Sequence, residues 1–367
     1  MWDQEFVDDG CVLLVKDEGD VKKQAMAFAD WCVESGVDIV MGINSLAILS
    51  ALPHLSQKIR VLSRCANAFD HGYKITLSCH ERLAQIIATT PRLKIDIINL
   101  YGGDEQKIQL IPNGISPETF DSAAMKLRGV EGPLRLGFVG RLEHKQKGVL
   151  FLPDIIRRLD HKGVDFTFRI AGKGVHKKVL ERQLKQYVSD GRVRFEGALL
   201  PSAIADFLGE VDVFVFVSQF EGCPNALLEA MMAGCVPVTF KIKGITDFIV
   251  RDGITGFICP MAGCEAFADR IAELGVDRSR LQEMASVAAG EARQRFSNVR
   301  AAQRYAQVFN EVMQAPAPSW EPKLWSDFRP DPAFVNSRSW HSILPKPVKR
   351  AIKNYLFYVG LSDRYYD

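Results

Sequence analysis

Two glutamates stand eight positions apart in "FEGCPNALLEAMMAGCVPV", residues 220–238. Glu221 lies in a Gly/Pro-bearing loop just after the apolar run "VDVFVFVS" (211–218), and Glu229 lies a turn or so into an apolar helical pattern. A helix beginning near Pro224 or Asn225 leaves its first backbone N–H groups without intrahelical partners, and proline suits a first helical turn. Such donors favour an anion, a phosphate above all. Glu221, in the preceding loop, can accept hydrogen bonds from hydroxyls held above the helix, and Glu229 can take a vicinal diol such as a ribose. One carboxylate for each polyol, with phosphate donors between them, describes a nucleotide-sugar site. The plainer alternative is a helix-stabilising acid and an unrelated surface acid.

A second segment, "GRLEHKQKG" (140–148), gathers Arg141, Lys145 and Lys147 between a strand and a helix. Fixed guanidinium and ammonium groups there can clamp a phosphate or diphosphate; a solvated basic turn is the alternative. Gly140, Gly172, Gly174, Gly197 and Gly222 all fall at strand ends. Ligands of α/β sheets bind at such ends, and glycine lets a backbone approach closely, although each also suits an ordinary turn.

The elements that must position these groups alternate along the chain. Strands are expected at 11–15, 37–41, 58–63, 74–78 and 107–112, with helices at 20–35, 46–55 and 80–90. After "NGISPETF" and the looser stretch 121–133 the alternation restarts. Strands are expected at 134–140, 164–174, 193–199, 211–218, 236–240 and 256–260, and helices at 151–163, 176–190, 202–210, 264–274 and 297–313. Such alternation predicts parallel sheets covered by helices. With 367 residues, the chain is long enough for two cores. The expected division is 1–120, 121–313 and a 314–367 extension that opens on the linker-like "QAPAPSWEP" (314–322).

The chain is 47% hydrophobic and 25% charged, with a net charge of +2. That is an ordinary soluble composition, and it gives no case for a nucleic-acid partner. Eight scattered cysteines without a Cys-x-x-Cys pair read as buried thiols in a reducing compartment. The acidic start "MWDQEFVDDG" lacks an apolar core of the secretory type, and no apolar run reaches the ~18–20 residues of a membrane span. The expected location is cytoplasmic. In 344–361, Val348, Ile352 and Leu356 can share a helix face beside Lys349, Arg350 and Lys353. That helix either docks on the body or touches the inner face of a membrane.

Taken in order, these segments resemble the retaining glycosyltransferases with two Rossmann-like domains, the GT-B fold, family 4. The resemblance runs from about "DIV" at 38 to Met313. It is carried by "FEGCPNALLEAMMAGCVPV", which matches the family's E-x7-E element, and by "GRLEHKQKG", "FRIAGKG", "VRFEGAL", "IVRDGITGFICP" and "KIQLIPNGISPETF". It implies that Arg141 and Lys147 hold the donor diphosphate and that Glu221 binds the transferred sugar's hydroxyls. It also implies that Gly222, Cys223, Pro224, Asn225, Ala226 and Leu227 offer backbone amides, and that Glu229 takes the ribose. Gly140 and Gly172 would border the donor, and the turn Gly197, Ala198, Leu199 would hold the nucleobase. The donor would be UDP- or GDP-linked. No metal or cofactor is implied, because cations and a helix N-terminus neutralise the leaving diphosphate; no Asp-x-Asp element is present. The family's retention is explained by front-face attack through an oxocarbenium-like transition state, with Glu221 positioning the sugar rather than attacking it.

The chain departs from the pattern at its start, which lacks the family's first strand and glycine-rich loop. About 50 residues are missing or replaced against an ordinary α/β domain, so the expectation is either a fragment or a reduced first domain. On the acceptor side, "GINS" (42–45) and "RVLSRCANAFDHGYK" (60–74) offer Asn44, Arg64 and His71 as candidates; Asn44 also reads as a plain helix cap. "KIKGITD" keeps only Gly244 of the family's paired glycines. The implied activity is transfer of a sugar to a glycan or lipid-linked acceptor. The alternatives are a non-catalytic nucleotide-sugar-binding subunit and a sugar-nucleotide epimerase of related fold.

Overall fold

The computed structural model describes residues 20–43, 45–124, 132–316 and 319–331. The chain forms two compact units, one of Met1–Ile87, Asp96–Gln109 and Val308–Asp367, the other of Ala88–Ile95 and Leu110–Gln307. The division therefore falls at residue 110 rather than 120. The short segment 88–95 joins the second unit, tied there by Arg92 N–H donating to the Gly244 carbonyl (3.2 Å).

Up to residue 110, α1 (Val21–Glu34), β1 (Ile39–Gly42), α2 (Leu46–Ala51), β2 (Arg60–Cys65), α3 (Asp70–Thr76), β3 (Leu83–Ala88), α4 (Pro91–Tyr101) and β4 (Ile108–Leu110) follow in order, all lying mainly in the first unit. The sheet runs β1-β2-β3-β4, with β1 parallel to β2 and Ile39 opposite Arg60. Helix α1 starts because the Asp20 carboxylate accepts from the N–H groups of Lys22 and Lys23, a side-chain cap. The late segment returns to this unit. Trp325 stacks on His54 at 4.2 Å between centroids, and the Lys323 carbonyl lies 2.9 Å from His54 Nδ1.

Two expectations here are corrected. "KITLS" (74–78) is the end of helix α3, not a strand, and 80–90 holds strand β3, not a helix. The spacing of Leu83, Ile86 and Ile87 fits a helix face, but β3 lies between two other strands, with Leu83, Ile86, Ile87 and Ala88 buried. A strand buried on both faces loses its alternation. Helix α3 survives its β-branched residues through one tertiary bond, Tyr73 Oη donating to Asp96 (2.6 Å), and one within the helix, Thr76 Oγ1 donating to the Gly72 carbonyl (2.8 Å). Helix α4 begins at Pro91, where a missing N–H costs nothing; the sequence reading had no helix there. The expected strand at 11–15 and the amphipathic segment 344–361 lie outside the described residues.

The second unit contains α5 (Asp121–Ala124), β5 (Leu134–Val139), α6 (His144–Lys147), α7 (Leu152–His161), β6 (Phe166–Ala171), α8 (Lys177–Gln183), α9 (Lys185–Ser189), β7 (Val193–Gly197), α10 (Pro201–Gly209), β8 (Val213–Phe216), α11 (Asn225–Met232), β9 (Val236–Phe240), α12 (Thr246–Ile249), β10 (Phe257–Cys259), α13 (Cys264–Val276) and α14 (Arg278–Phe296), followed by α15 (Asn298–Gln314), which runs across the boundary between the units. Helix α14 was not expected from the sequence, and 176–190 is two short helices rather than one.

All five pairings of the six-stranded sheet β10-β9-β8-β5-β6-β7 are parallel. Every residue of β8 and β9 is buried, which explains why "VDVFVFVS" reads as a continuous apolar run. Phe240 meets Phe151 and Phe267 edge-on, each at 5.2 Å, a favoured aromatic geometry. At the amino ends of β5 and β8 the buried Asp212 accepts from Arg135 Nε (3.0 Å), Nη2 (2.6 Å) and backbone N–H (2.9 Å). The forked pair matches guanidinium to carboxylate geometry and fixes the register of the two central strands. Among the described residues, no helix is long and apolar enough to cross a membrane.

Candidate functional site

The carboxyl ends of β5, β6, β7 and β8 bring the sequence's candidates together. After β5 the chain turns through Gly140 and Arg141 into the four-residue helix α6, whose N-terminus is capped by Glu143 accepting from Lys145 N–H (2.6 Å) and Gln146 N–H (2.9 Å). Its end is fixed by Gly148, which has φ +62° and whose added Cβ would lie 1.9 Å from the Val217 carbonyl oxygen. Only glycine fits that left-handed position against the end of β8. Gln219 then holds α6 from the far side: its Nε2 donates to the carbonyls of His144 (2.7 Å) and Lys145 (3.2 Å).

This scaffold delivers Lys147 to Glu221. Lys147 Nζ lies 2.6 Å from Glu221 Oε1, with 17% and 7% side-chain exposure. Gln146 Nε2 donates to the other carboxylate oxygen at 3.3 Å, and its own Oε1 accepts from Arg141. A chain Arg141–Gln146–Glu221–Lys147 thus joins the two motifs. A charge taken out of water is costly unless matched, and here the protein supplies both partners. His144 accepts from Leu150 N–H at Nδ1 (3.2 Å), and burial, together with the neighbouring His176, pulls its pKa below the usual histidine value. It is a neutral structural acceptor within α6.

Glu229 differs. It sits on α11, partly buried, and no hydrogen-bond partner to its carboxylate is found among the described residues. Burial raises its pKa above the usual glutamate value, because desolvation disfavours the charged form. A half-buried carboxylate with free acceptor capacity is suited to hydroxyl donors from outside the protein.

The loop between them is held by two residues the sequence reading left without a role. Thr90 Oγ1, fully buried, donates to the Gly222 carbonyl (3.2 Å). Asn113 Nδ2 donates to the Cys223 carbonyl (3.0 Å) and to Asn225 Oδ1 (2.6 Å). Helix α11 begins with Pro224 as its cap and no side-chain cap bond, so the N–H groups of Asn225 and Ala226 stay available. Asn113 stands inside "KIQLIPNGISPETF", which carries its signal; Thr90 falls at the end of the 80–90 segment, whose helical spacing carries none.

The glycines divide in function. Gly172 (φ +147°) would place a Cβ 1.8 Å from the Gly140 carbonyl oxygen, and Gly174 would place one 2.3 Å from the Leu142 carbonyl oxygen. They let the β5 and β6 turns touch each other, a packing reason beside the expected donor-facing one. Gly197 (φ +75°) has open space where its Cβ would be, in the turn with Ala198 and Leu199. Gly244 packs on Arg92, 2.9 Å from its backbone nitrogen to the added Cβ. Of the acceptor-side candidates, Arg64 is on β2 and His71 on α3, within the first unit; Asn44 lies outside the described residues.

Comparison with known proteins fits this geometry. Residues 133–277 match the family model of glycosyl transferases group 1. The chain is 29% identical over 203 residues to a putative colanic acid biosynthesis glycosyltransferase, WcaL, of Salmonella typhimurium, covering 53% of this chain and 49% of that protein. It is 33% identical over 178 residues to the amylovoran biosynthesis glycosyltransferase AmsK of Erwinia amylovora, covering 46% and 42%. The matched region thus spans about half the length of these curated relatives. Among solved structures, Anabaena Alr3699/HepE in complex with UDP superposes with a TM-score of 0.67 at 20% identity, covering 78% of this chain and 82% of that one. The fold is that of the GT-B glycosyltransferases, two Rossmann-like α/β units.

Proposed function

We propose that the chain is a glycosyltransferase that takes a sugar from a nucleotide-diphosphate donor, UDP- or GDP-linked, with retention of configuration. The observation that carries this is the buried Lys147–Glu221 pair, flanked by Arg141 and Gln146, on the loop that leads into the helix carrying Glu229, whose carboxylate has no hydrogen-bond partner among the described residues. Donor binding exchanges partners. The diphosphate takes Lys147 and Arg141, and the freed Glu221 accepts from hydroxyls of the transferred sugar. Asn225 and Ala226 N–H groups add donors to the phosphate, and Glu229 accepts from the ribose diol. As the glycosidic bond to the diphosphate breaks, charge grows on the leaving phosphate oxygens where cations and amides already stand, which lowers the barrier. The acceptor hydroxyl attacks on the same face and a donor phosphate oxygen takes its proton.

The expected setting is polysaccharide or glycoconjugate synthesis on a glycan or lipid-linked acceptor, in the cytoplasm or at the inner face of the membrane. Support comes from relatives named for colanic acid and amylovoran biosynthesis. Incubating the purified chain with a panel of nucleotide sugars tests the reading. Donor hydrolysis or transfer that disappears in Glu221→Ala supports it, whereas binding without turnover in the unaltered chain selects the non-catalytic subunit. Isomerised donor without acceptor selects an epimerase.

A further inference from the structure

The amino-terminal edge of the first unit's sheet holds a second concentration of charge that the proposed reaction does not use. Arg60 opens β2, Arg82 precedes β3 and Lys107 precedes β4. All three line a cavity of about 260 Å³, together with Gln85, Glu81 and Glu311. Arg60 is 8% exposed and Arg82 3%. Arg60 Nη2 donates to the Ala315 carbonyl (2.8 Å), just past the end of α15. Arg82 donates to the carbonyls of Leu55 (2.7 Å), Ser56 (2.6 Å) and Ile59 (3.3 Å), and stacks over Trp320 at 5.4 Å.

These bonds leave most of the guanidinium chemistry unanswered. Among the described residues, six buried side-chain polar atoms lack a partner; five are Arg60 Nε, Arg60 Nη1, Arg82 Nε, Gln85 Oε1 and Trp320 Nε1, in or beside this cavity. Carbonyl dipoles satisfy N–H groups but do not neutralise charge. Burial pushes the Arg82 guanidinium down to about 10, as for a cation held without an anion. Glu81 and Glu311 are exposed, where solvent screens them. Gln85 suits an anion once its amide is rotated to present Nε2, an assignment that depends on its partner.

We propose that this cavity binds a small, freely diffusing phosphate-class oxyanion between Arg60, Arg82 and Lys107. Planar guanidinium forks are the side chains best matched to phosphate. The volume is below the ~300 Å³ at which pockets for larger ligands begin, which suits a phosphate or small phosphate ester rather than a nucleotide sugar. The burial of both arginines excludes a lipid headgroup still embedded in a bilayer. The site is separate from the donor platform, so the proposal stands whether or not sugar transfer does.

Calorimetric and thermal-shift titrations of the full chain with inorganic phosphate test it, against potassium chloride at matched ionic strength. Phosphate also suits the donor platform, so they are run in a Lys147→Gln background. The expected result is a saturable rise in Tm, with affinity reduced about tenfold by Arg60→Lys, which loses the fork, and severalfold by Lys107→Gln. Lys107→Gln touches a more exposed residue and keeps the test decisive if Arg60→Lys does not fold. A Tm that follows ionic strength alone, or titrations unchanged by both substitutions, overturns the proposal. Lys107-dependent sedimentation with phosphatidylglycerol vesicles, without any response to inorganic phosphate, overturns it as well.

Discussion

The carboxyl edge of the second unit's sheet and the amino edge of the first unit's sheet treat buried charge in opposite ways. At the first, Lys147 and Glu221 neutralise each other at 2.6 Å. At the second, Arg60 and Arg82 are buried against carbonyls, with N–H groups left over. A matched pair is stable until a ligand offers both partners something better; an unmatched pair of cations waits for the anion itself. Within the candidate site the same contrast recurs between Glu221, which the protein satisfies, and Glu229, for whose carboxylate no partner is found among the described residues.

The sharpest way to break the contrast is to remove one member of the matched pair. Glu221→Ala is expected to reduce turnover about 10²–10³-fold, the scale for losing one preorganised group at a reacting centre. Steady-state kinetics with saturating donor checks it. It also strands Lys147, so a lower Tm accompanies the loss. Gly148→Ala attacks the scaffold instead. Its Cβ would strike the Val217 carbonyl at a left-handed φ, and a cost of about 1–3 kcal/mol is expected in urea unfolding. An unchanged midpoint would show that α6 is not anchored through this contact.

Asn113→Ala removes the clamp on the Gly222–Asn225 loop and takes away the Asn113 side-chain donor to the Cys223 carbonyl. An affinity loss of about tenfold for nucleotide sugar is expected, on the scale of one buried hydrogen bond, with little change in the chemical step once the donor is bound. Equilibrium binding and single-turnover rates separate the two.

Glu229 gives the smallest and most diagnostic effect. Its folded pKa is raised by burial, so its contribution to apo stability is full below the unfolded value and is lost as pH rises through the folded value. At pH 7 Glu229→Gln should therefore leave the apo Tm unchanged or slightly higher. Donor binding runs the other way, because a ribose diol needs the carboxylate. Affinity should fall as pH drops through the raised pKa, and Glu229→Gln should flatten that profile. A profile identical in both proteins would remove Glu229 from the donor site.

Element types in the second unit were largely legible because β5, β6 and β7 each end at a glycine, Gly140, Gly172 and Gly197, and helical patterns follow several of the strands, α14 being the main omission. The first unit was read less well, and for a specific reason. Ile75 and Thr76 look like strand residues and Leu83, Ile86 and Ile87 like a helix face. The outcome rests on Tyr73 meeting Asp96 and on β3 lying between two strands. Local periodicity cannot report either.

The chemical types at the donor platform, the two glutamates, Arg141, Lys147 and the helix start after Pro224, are properties of the sequence alone, since motif spacing fixes which residues follow each strand. Tertiary structure decided which of them touch. Lys147 and Glu221 are 74 positions apart and Gln219 and His144 are 75 apart, and only the parallel stacking of β5 beside β8 brings their following turns together. The same holds for Thr90 and Gly222, and for the two arginines at the opposite edge of the other sheet. Burial and neutralisation depend on what the rest of the chain places around a side chain, and no local pattern encodes that.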